Sequence, residues 1–555
     1  MAGQRQQITL APISEVKLVS DWSWRPGVLV ALGLLGLVVL VFVAILNVGD
    51  TTSSSTEFAG IGDILLVTTV QAGLSTLFSL CVGILLAWSL RHRHQFPGRR
   101  ILLSLLSTSM VLPTLVVALG LIGVFGRRGW WNAVLGEGGI DLLHISVYGL
   151  GGIVLAHTYM DAPFMARGML HRLENIPVEH FKLARGLGLS SWQRFRTVEW
   201  PALTPVIPGQ CLVVFLLSFT SFAIVLMLGG SPRYNTLEVA IFEAVKLEFD
   251  LPRAVILALV QLAICAGLVL MAQAFRPASA AQAVQRLTFM WPESRVILIM
   301  QWTIIGLFSI LFLGPLLAVS LDGMGADFSR ITATDTFRRA FVSSLTLAAI
   351  SAVVAITLGL LMARSQRHFS SILRSGNRSS NNIWLGLLGF SATVYLAVPA
   401  LVLGLGFFLL ARELSADRAI VAPVALIAAN VMMALPFILV ILTPALGKAA
   451  DKYDRLAFSL DLRGWTRWRL IEWPVLRRDL GYLLALAFCL SLGDLGVIAL
   501  FGSQDFATLP WLLYQHMGSY RTSDAAGIAL ILLALCLSVF FIVPRLFEGR
   551  SHAET

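Results

Sequence analysis

The chain alternates long apolar runs with short polar segments. Most runs are about 20 residues long, which is the length that an α-helix needs to cross a hydrocarbon layer of roughly 30 Å. They are continuously apolar, without the two-residue alternation of membrane β-strands. We therefore predict an all-α polytopic membrane protein with about twelve transmembrane helices. The predicted spans lie near 28–47, 64–88, 101–126, 147–168, 206–229, 254–275, 296–320, 341–363, 384–410, 419–445, 480–501 and 526–544.

The composition supports a membrane location. Of 555 residues, 57% are hydrophobic and 13% are charged, which is about half the charged fraction of a soluble domain. The formal net charge is +10. If the N-terminus is cytoplasmic, roughly three quarters of the lysines and arginines fall in cytoplasmic segments, as the positive-inside rule requires. We therefore predict that both termini are cytoplasmic and that nucleic acid is not a partner.

The second half of the chain repeats the first. The segments "ARGLGLSSWQRFRTVEWP" (184–201) and "AFSLDLRGWTRWRLIEWP" (457–474) share a tryptophan, two arginines and Glu-Trp-Pro at an offset of 273 positions. Gly83 matches Gly359 at a slightly larger offset. Each half carries six predicted spans, and an even number gives the two copies the same orientation. The sequence therefore predicts a tandem parallel repeat of 6 + 6 helices.

These features divide the chain into five segments. The segment between the repeats is rich in Pro, Ser, Ala and Gln, which is typical of a linker. We call the polar segment 173–201 the first loop and the segment 446–474 the second loop. The predicted segments are a cytoplasmic N-terminal segment (1–27), a first repeat (28–275) that contains the first loop, a cytoplasmic linker (276–295), a second repeat (296–545) that contains the second loop, and a cytoplasmic tail (546–555).

Both loops are amphipathic. In the first loop apolar residues recur every three to four positions, which predicts helix, and Gly186 and Gly188 predict a turn between two short helices. Ser190 or Ser191 would cap the second of them. Such a segment could lie on lipid headgroups, or it could dock a protein. Lipid binding needs only charge and an apolar face, so the identical residues at matched positions favour a protein partner.

The loops resemble the cytoplasmic "EAA" loop of binding-protein-dependent ABC importer permeases. The pattern of that family is Glu-Ala-Ala, three residues, Gly, and an apolar stretch that ends near Leu-Pro. Ala184, Gly188 and Pro201 fit it in the first loop. The leading Glu is replaced by a basic residue in both loops, Lys182 in the first, and the Gly is replaced by Asp461 in the second. Asp tolerates a left-handed turn better than most residues, so the turn can form in both loops.

The resemblance implies that each loop couples to an ATP-binding subunit. Two copies of a separate ABC ATPase, which would use ATP and Mg, and a periplasmic substrate-binding protein are the implied partners, in the inner membrane of a bacterium. The implied coupling residues are Leu183, Ala184, Gly188, Trp192, Arg194, Glu199 and Pro201 in the first loop, and Leu456, Ala457, Asp461, Trp465, Arg467, Glu472 and Pro474 in the second.

We expect the chain itself to bind no cofactor or metal and to catalyse no reaction. It contains no G-x-x-x-x-G-K-[ST] phosphate-binding motif, because Gly447-Lys448 is followed by alanine and lacks the upstream glycine. It also shows no Ser/His/Asp, HExxH or clustered Cys/His pattern. The expected function is therefore that of a transport permease subunit, with ATP hydrolysis on another protein.

Longer stretches resemble a narrower group, the fused permeases of thiamine ABC importers. They are "SLGDLGVIALFGSQDFATLPWLLYQHMGSYRTSDAAGIALILL" (491–533), "LENIP" (173–177) and "VEWP" (198–201). This resemblance implies translocation of thiamine or its phosphates by alternating access. Fused permeases for iron(III) share the same plan of helices and loops, so iron(III) or another small ion remains an alternative substrate.

Ionisable groups at membrane depth are costly and therefore are candidates for function. Asp494 lies within the eleventh predicted span between Gly493 and Gly496, and Ser221 holds the matching position in the first repeat. These two residues could border the translocation path, where a carboxylate would favour a cationic solute. Alternatively, Asp494 is a structural carboxylate with local hydrogen bonds. Glu238 belongs to an acidic external loop, which we interpret as a solvated face.

An ion-coupled secondary transporter can also have two parallel six-helix repeats. Such a transporter needs several intramembrane carboxylates, histidines or lysines as coupling groups, and the predicted spans contain few. A membrane scaffold or enzyme would leave the duplicated loops without a role. The sequence therefore favours the importer permease over both alternatives.

Overall fold

The structure is a computed structural model of the chain. It describes residues 24–49, 60–127, 129–137, 146–274, 293–374, 381–415, 417–503 and 505–548. This part of the chain is helical and contains no strand, which confirms the all-α class. Most of the predicted N-terminal segment, most of the linker and the last residues of the tail lie outside the described residues, so their assignments stay predictions.

The first repeat is built from short and long helices in sequence. They are α1 (Arg25–Gly49), α2 (Ile61–His92), α3 (Arg99–Thr108), α4 (Thr114–Phe125), α5 (Trp130–Glu137), α6 (Leu150–Glu174), α7 (Val178–Gly186), α8 (Ser191–Arg194), a π-helix π1 (Phe195–Glu199), α9 (Trp200–Leu203), α10 (Ile207–Phe219), α11 (Ala223–Leu228), α12 (Leu237–Lys246) and α13 (Leu251–Ala274).

From the second loop onward, the second repeat has the same order of helices as the first. Its helices are α14 (Arg295–Met324), α15 (Phe328–Ala333), α16 (Asp335–Arg374), α17 (Asn381–Ala397), α18 (Ala400–Glu413), α19 (Arg418–Ser459), α20 (Gly464–Arg467), a π-helix π2 (Trp468–Glu472), α21 (Trp473–Leu492), α22 (Gly496–Phe501), α23 (Leu509–Gly518) and α24 (Thr522–Phe547). Each loop leads through a π-helix into a broken helix, a short helix and a long last helix.

The described residues contain eight helices that are long and apolar enough to cross a membrane, or nine if one pair bent by 62° counts as a single span. The predicted count of twelve is therefore not confirmed. The predicted span 101–126 is divided before Pro113 and the span 384–410 before Pro399. Proline disfavours helical geometry in the residue before it and donates no backbone hydrogen bond, so an apolar run that contains it need not form one helix.

The leading helix of each repeat packs on the other repeat. Helix α1 contacts α16, α17 and α18, whereas α14 contacts α2 and α4. At one crossing Gly120 lies against the backbone of Pro315, where an added Cβ would stand 2.5 Å from the carbonyl oxygen. At the other, the hydroxyl of Ser365 donates a 2.7 Å hydrogen bond to the carbonyl of Trp24. Small residues thus allow close helix contact, and the two repeats form one interlocked bundle.

Candidate functional site

The first loop folds as two short helices with a turn between them, as predicted. Ser190 begins the second helix: its hydroxyl accepts a hydrogen bond from the backbone N–H of Gln193, whose side chain accepts one from the Ser190 N–H. This capping box confirms the predicted cap. Gly188 in the turn has φ +66°, and Asp461 at the matched position of the second loop has φ +45°. The turn therefore forms in both loops despite the substitution of glycine.

A π-helix follows each turn, directly before Trp-Pro. Pro201 and Pro474 lack the N–H that would bond to the carbonyl four residues earlier, on Thr197 and Leu470. Both of those carbonyls belong to the π-helices π1 and π2. Bonding from residue i to i+5 is the pattern found in such helical bulges, and it accommodates the missing donor. The duplicated proline thus accounts for the duplicated π turn.

Each π turn carries an ion pair between residues five apart. The Nε of Arg194 donates to Glu199 at 3.0 Å, and both side chains are fully buried. The Nε of Arg467 donates to Glu472 at 3.3 Å, and these side chains are also largely buried. In a regular α-helix residues five apart point about 140° away from each other. The wider π turn brings them together, so the pairs depend on this local geometry.

The second loop is bonded to helix α16 through further arginines. Arg364 donates to Glu472 at 2.7 Å, and Arg367 donates to Asp454 at 2.6 Å. Arg467 completes the cluster by donating to Asp454 at 2.5 Å. A buried charge that loses its partner is strongly destabilising. The cluster therefore fixes the second loop to the end of a long helix that is apolar enough to span the membrane.

Each loop exposes large apolar side chains among its polar ones. Three side chains of the first loop and their three counterparts at the same offset in the second are between 51% and 76% exposed. We call each set of three the apolar triad of its loop. The triads are Leu183, Leu187 and Trp192 in the first loop, and Leu456, Leu460 and Trp465 in the second. Exposed apolar groups that recur at matched positions of two loops favour an interaction surface.

The structure places the sequence-predicted coupling residues in four kinds of position. Leu183, Trp192, Leu456 and Trp465 belong to the outward-facing triads. The paired Arg194, Glu199, Arg467 and Glu472 point inward, as do the buried Ala184 and Ala457. Gly188 and Asp461 form the turns, and Pro201 and Pro474 follow the π-helices. Leu187 and Leu460 were not predicted as coupling residues, although they are identical at the offset that relates the two loops.

Ser221 and Asp494 lie at equivalent breaks in the helices. Ser221 stands between α10 and α11, and Asp494 between α21 and α22. Asp494 lies within the candidate span Gly464–Phe501, as predicted, but at an interruption of its helix, because Gly493 ends the regular hydrogen bonding there. One carboxylate oxygen of Asp494 accepts a 3.0 Å hydrogen bond from the N–H of Gly496. The other is buried without a hydrogen-bond partner in the described part of the chain.

Glu238 is buried in the bundle, so the interpretation of a solvated acidic face is wrong for this residue. Its side chain accepts a 2.9 Å hydrogen bond from Gln261 of α13, and the residue is 1% exposed. Helix α12, which carries it, packs against α22 of the other repeat. Asp494 lies two residues before α22. One acidic group from each repeat thus lies at this interface.

Comparison with known proteins gives matches along most of the chain. Residues 79–280 match the family "Binding-protein-dependent transport system inner membrane component". The chain is 39% identical to the "Thiamine transport system permease protein ThiP" of Escherichia coli, over 87% of this chain and 88% of that protein. It is 37% identical to the protein of the same name from Haemophilus influenzae, over 85% and 86% of the two chains.

A more distant match covers a single region. The "Sulfate transport system permease protein CysT" of Escherichia coli is 32% identical over 198 residues, which are 36% of this chain and 70% of that protein. Permeases of different solutes thus share sequence with one part of the chain, whereas the alignments to the thiamine permeases run through both repeats.

Proposed function

The chain belongs to the family of binding-protein-dependent inner-membrane transport components, and we propose that it is the permease subunit of a thiamine ABC importer. Thiamine transport permeases are among the relatives that are similar over both repeats. The solute would be thiamine or one of its phosphates. The chain would sit in the bacterial inner membrane with both termini in the cytoplasm, as the distribution of lysines and arginines supports.

The observation that carries the proposal is the pair of matched loops. Each loop presents an apolar triad, and the buried ion pair of its π turn holds the loop in this conformation. We propose that each triad docks one copy of an ABC ATPase, so that two copies bind the chain. ATP and Mg would be bound and used by the ATPase, and the chain itself would hydrolyse nothing.

The anchoring of the loops supports a mechanical role. A force on the second loop is transmitted to α16 through Arg364 and Arg367, because these side chains bond the loop's acidic residues to that helix. Closure of the ATPase pair would move both loops together and open the pathway outward, and hydrolysis would reset it. Interlocked helices support movement as rigid bodies rather than local bending.

We propose that the solute passes near Ser221 and Asp494, at the breaks that both repeats share. The unpartnered oxygen of Asp494 and the carboxylate of Glu238 at the same interface would favour a positively charged solute. Thiamine carries such a charge on its thiazolium ring. A soluble binding protein would deliver the solute to the outer face of the bundle, opposite the loops.

The test combines two measurements on the purified proteins. Tagged chain should retain the ATPase encoded with it at two ATPase copies per chain, as mass measurement of the complex in detergent would show. The partner binding protein should bind thiamine or its phosphates in calorimetric titration and should fail to bind iron(III). An ATPase that does not co-purify would contradict the docking role, and a binding protein that holds iron(III) alone would contradict the substrate.

A further inference from the structure

In each loop the arginine of the buried ion pair also bonds to a second carboxylate. The two loops take this second carboxylate from different parts of the chain. In the second loop Arg467 bonds to Glu472 and also to Asp454 of the preceding helix. At the same offset the first repeat has Phe181, which is apolar and packs under the guanidinium of Arg91 at 5.1 Å. The first loop therefore lacks the acidic residue that its counterpart takes from its own repeat.

Glu293, near the end of the linker and two residues before α14, supplies that acidic group. The Nη2 of Arg194 donates to one of its carboxylate oxygens at 2.7 Å, and the hydroxyl of Ser191 donates to the other at 2.6 Å. The ring of His92 lies 3.2 Å from Glu199 and 3.7 Å from Glu293. The side chain of Glu293 is 1% exposed. Both of its oxygens are thus used to hold residues that begin and end helix α8.

The segment that carries Glu293 leads directly into α14. Most residues at the start of α14 are exposed, but two of them contact the first repeat beyond the end of α2. Gln301 accepts a 2.7 Å hydrogen bond from Arg93, and the ring of Trp302 lies edge-on to that of Phe96 at 5.2 Å. Because Glu293 stands only two residues before α14, a displacement of Glu293 would be passed to the start of this helix.

We propose that Glu293 is a positioning residue that joins the first loop to α14, so that movement of this loop is transmitted directly to both repeats. The second loop is anchored by Asp454 within its own repeat. The two loops thus expose matching apolar triads, but their buried arginines are bonded to different parts of the chain. This inference rests on the proposed docking of an ATPase to the loops.

The test replaces Glu293 in the complete transporter, reconstituted with its ATPase and binding protein. In Glu293→Gln the ATPase should still co-purify, because the apolar triad is unchanged. The stimulation of ATP hydrolysis by loaded binding protein should fall by roughly fivefold or more, the size of a typical coupling between sites. Glu293→Asp should restore part of the stimulation. The matched control is Glu548→Gln, which removes the charge of a partly exposed glutamate paired with Arg478 and should leave stimulation unchanged.

The outcomes separate this inference from the proposed function. A wild-type complex without ATPase, or without stimulation, contradicts the proposed function itself. A stimulated wild type together with an equally stimulated Glu293→Gln overturns the inference alone, as does a Glu293→Gln chain that no longer retains the ATPase. If Glu293→Gln fails to insert, Ser191→Ala removes one of the two bonds to Glu293. It should lower stimulation with the ATPase still bound, and unchanged stimulation would overturn the inference.

Discussion

Arg194 and Glu199 form a fully buried ion pair at 3.0 Å across a π turn, and Arg467 and Glu472 repeat it at 3.3 Å in the second loop. The identity of these residues in the two loops therefore has a structural cause. They face the bundle, and the leucines and tryptophans of the apolar triads face outward. Docking and anchoring are thus carried by different residues of the same short segment.

Removal of both glutamates should abolish docking, because the loops would lose the conformation that presents the apolar triads. In Glu199→Ala plus Glu472→Ala each arginine loses its π-turn partner. A buried charge left with no partner costs about 3–5 kcal/mol, and the cost should be smaller here because Arg194 keeps Glu293 and Arg467 keeps Asp454. Co-purification of the ATPase should be lost, while the chain is still recovered from the membrane fraction. A Glu548→Ala variant, which removes a partly exposed pair, is the control. Normal recovery of the complex from the double variant would contradict the role assigned to the ion pairs.

Truncation of the exposed tryptophans should weaken docking without disturbing the bundle. Trp192→Ala and Trp465→Ala remove the largest exposed side chain of each triad. Each should raise the dissociation constant for the ATPase about tenfold or more, as for interface hot spots, and the thermal midpoint of the isolated chain should not change. Leu29→Ala in α1, also exposed and apolar, is the matched control. If all three variants bind alike, the triads are not docking surfaces.

The close contact between α4 and α14 should be sensitive to a single methyl group. In Gly120→Ala the new Cβ would meet the backbone carbonyl of Pro315 at 2.5 Å, so the helices must separate. The thermal midpoint of the detergent-solubilised chain should fall. Gly33→Ala in α1 meets no atom within 4 Å, and there the gain in helix propensity, roughly 1 kcal/mol, should keep or raise stability. Equal midpoints for the two variants would argue against a tight crossing at Gly120.

Loss of the charge on Asp494 should slow transport more than it affects docking. Asp494→Asn keeps the shape of the side chain and can retain the hydrogen bond from Gly496. If the carboxylate favours a cationic solute, the rate of thiamine uptake should fall while the ATPase remains bound. Ser221→Ala at the equivalent break is the comparison, because it removes a polar group without a charge. Wild-type uptake by Asp494→Asn would remove this residue from the proposed path.

The sequence predicts the class, the duplication and the loops because each depends on a local signal. Continuous apolar runs predict helices in a membrane, and shared residues at one offset locate both loops. Even the cap at Ser190 is predicted, because capping is a local interaction. The number of unbroken spans is a weaker prediction, since Pro113 and Pro399 interrupt apolar runs that hydropathy alone treats as continuous.

The remaining features depend on contacts between distant parts of the chain. In the sequence Glu238 belongs to an acidic loop, whereas in the structure its helix α12 packs in the bundle against the other repeat. Glu293 is 99 positions from Arg194, so no local pattern relates them. The π turn sets the direction of the Glu199 side chain, and a projection of a regular α-helix would place this residue on the wrong face.

The central claim is that a separate ATPase, docked on the two loops, drives import through this chain. The most direct test is uptake of labelled thiamine into sealed proteoliposomes that contain the chain with its ATPase, with binding protein outside and ATP inside. Thiamine should accumulate above its external concentration in these vesicles and should not accumulate when the ATPase or ATP is omitted. Accumulation against a gradient by the chain alone would contradict the account.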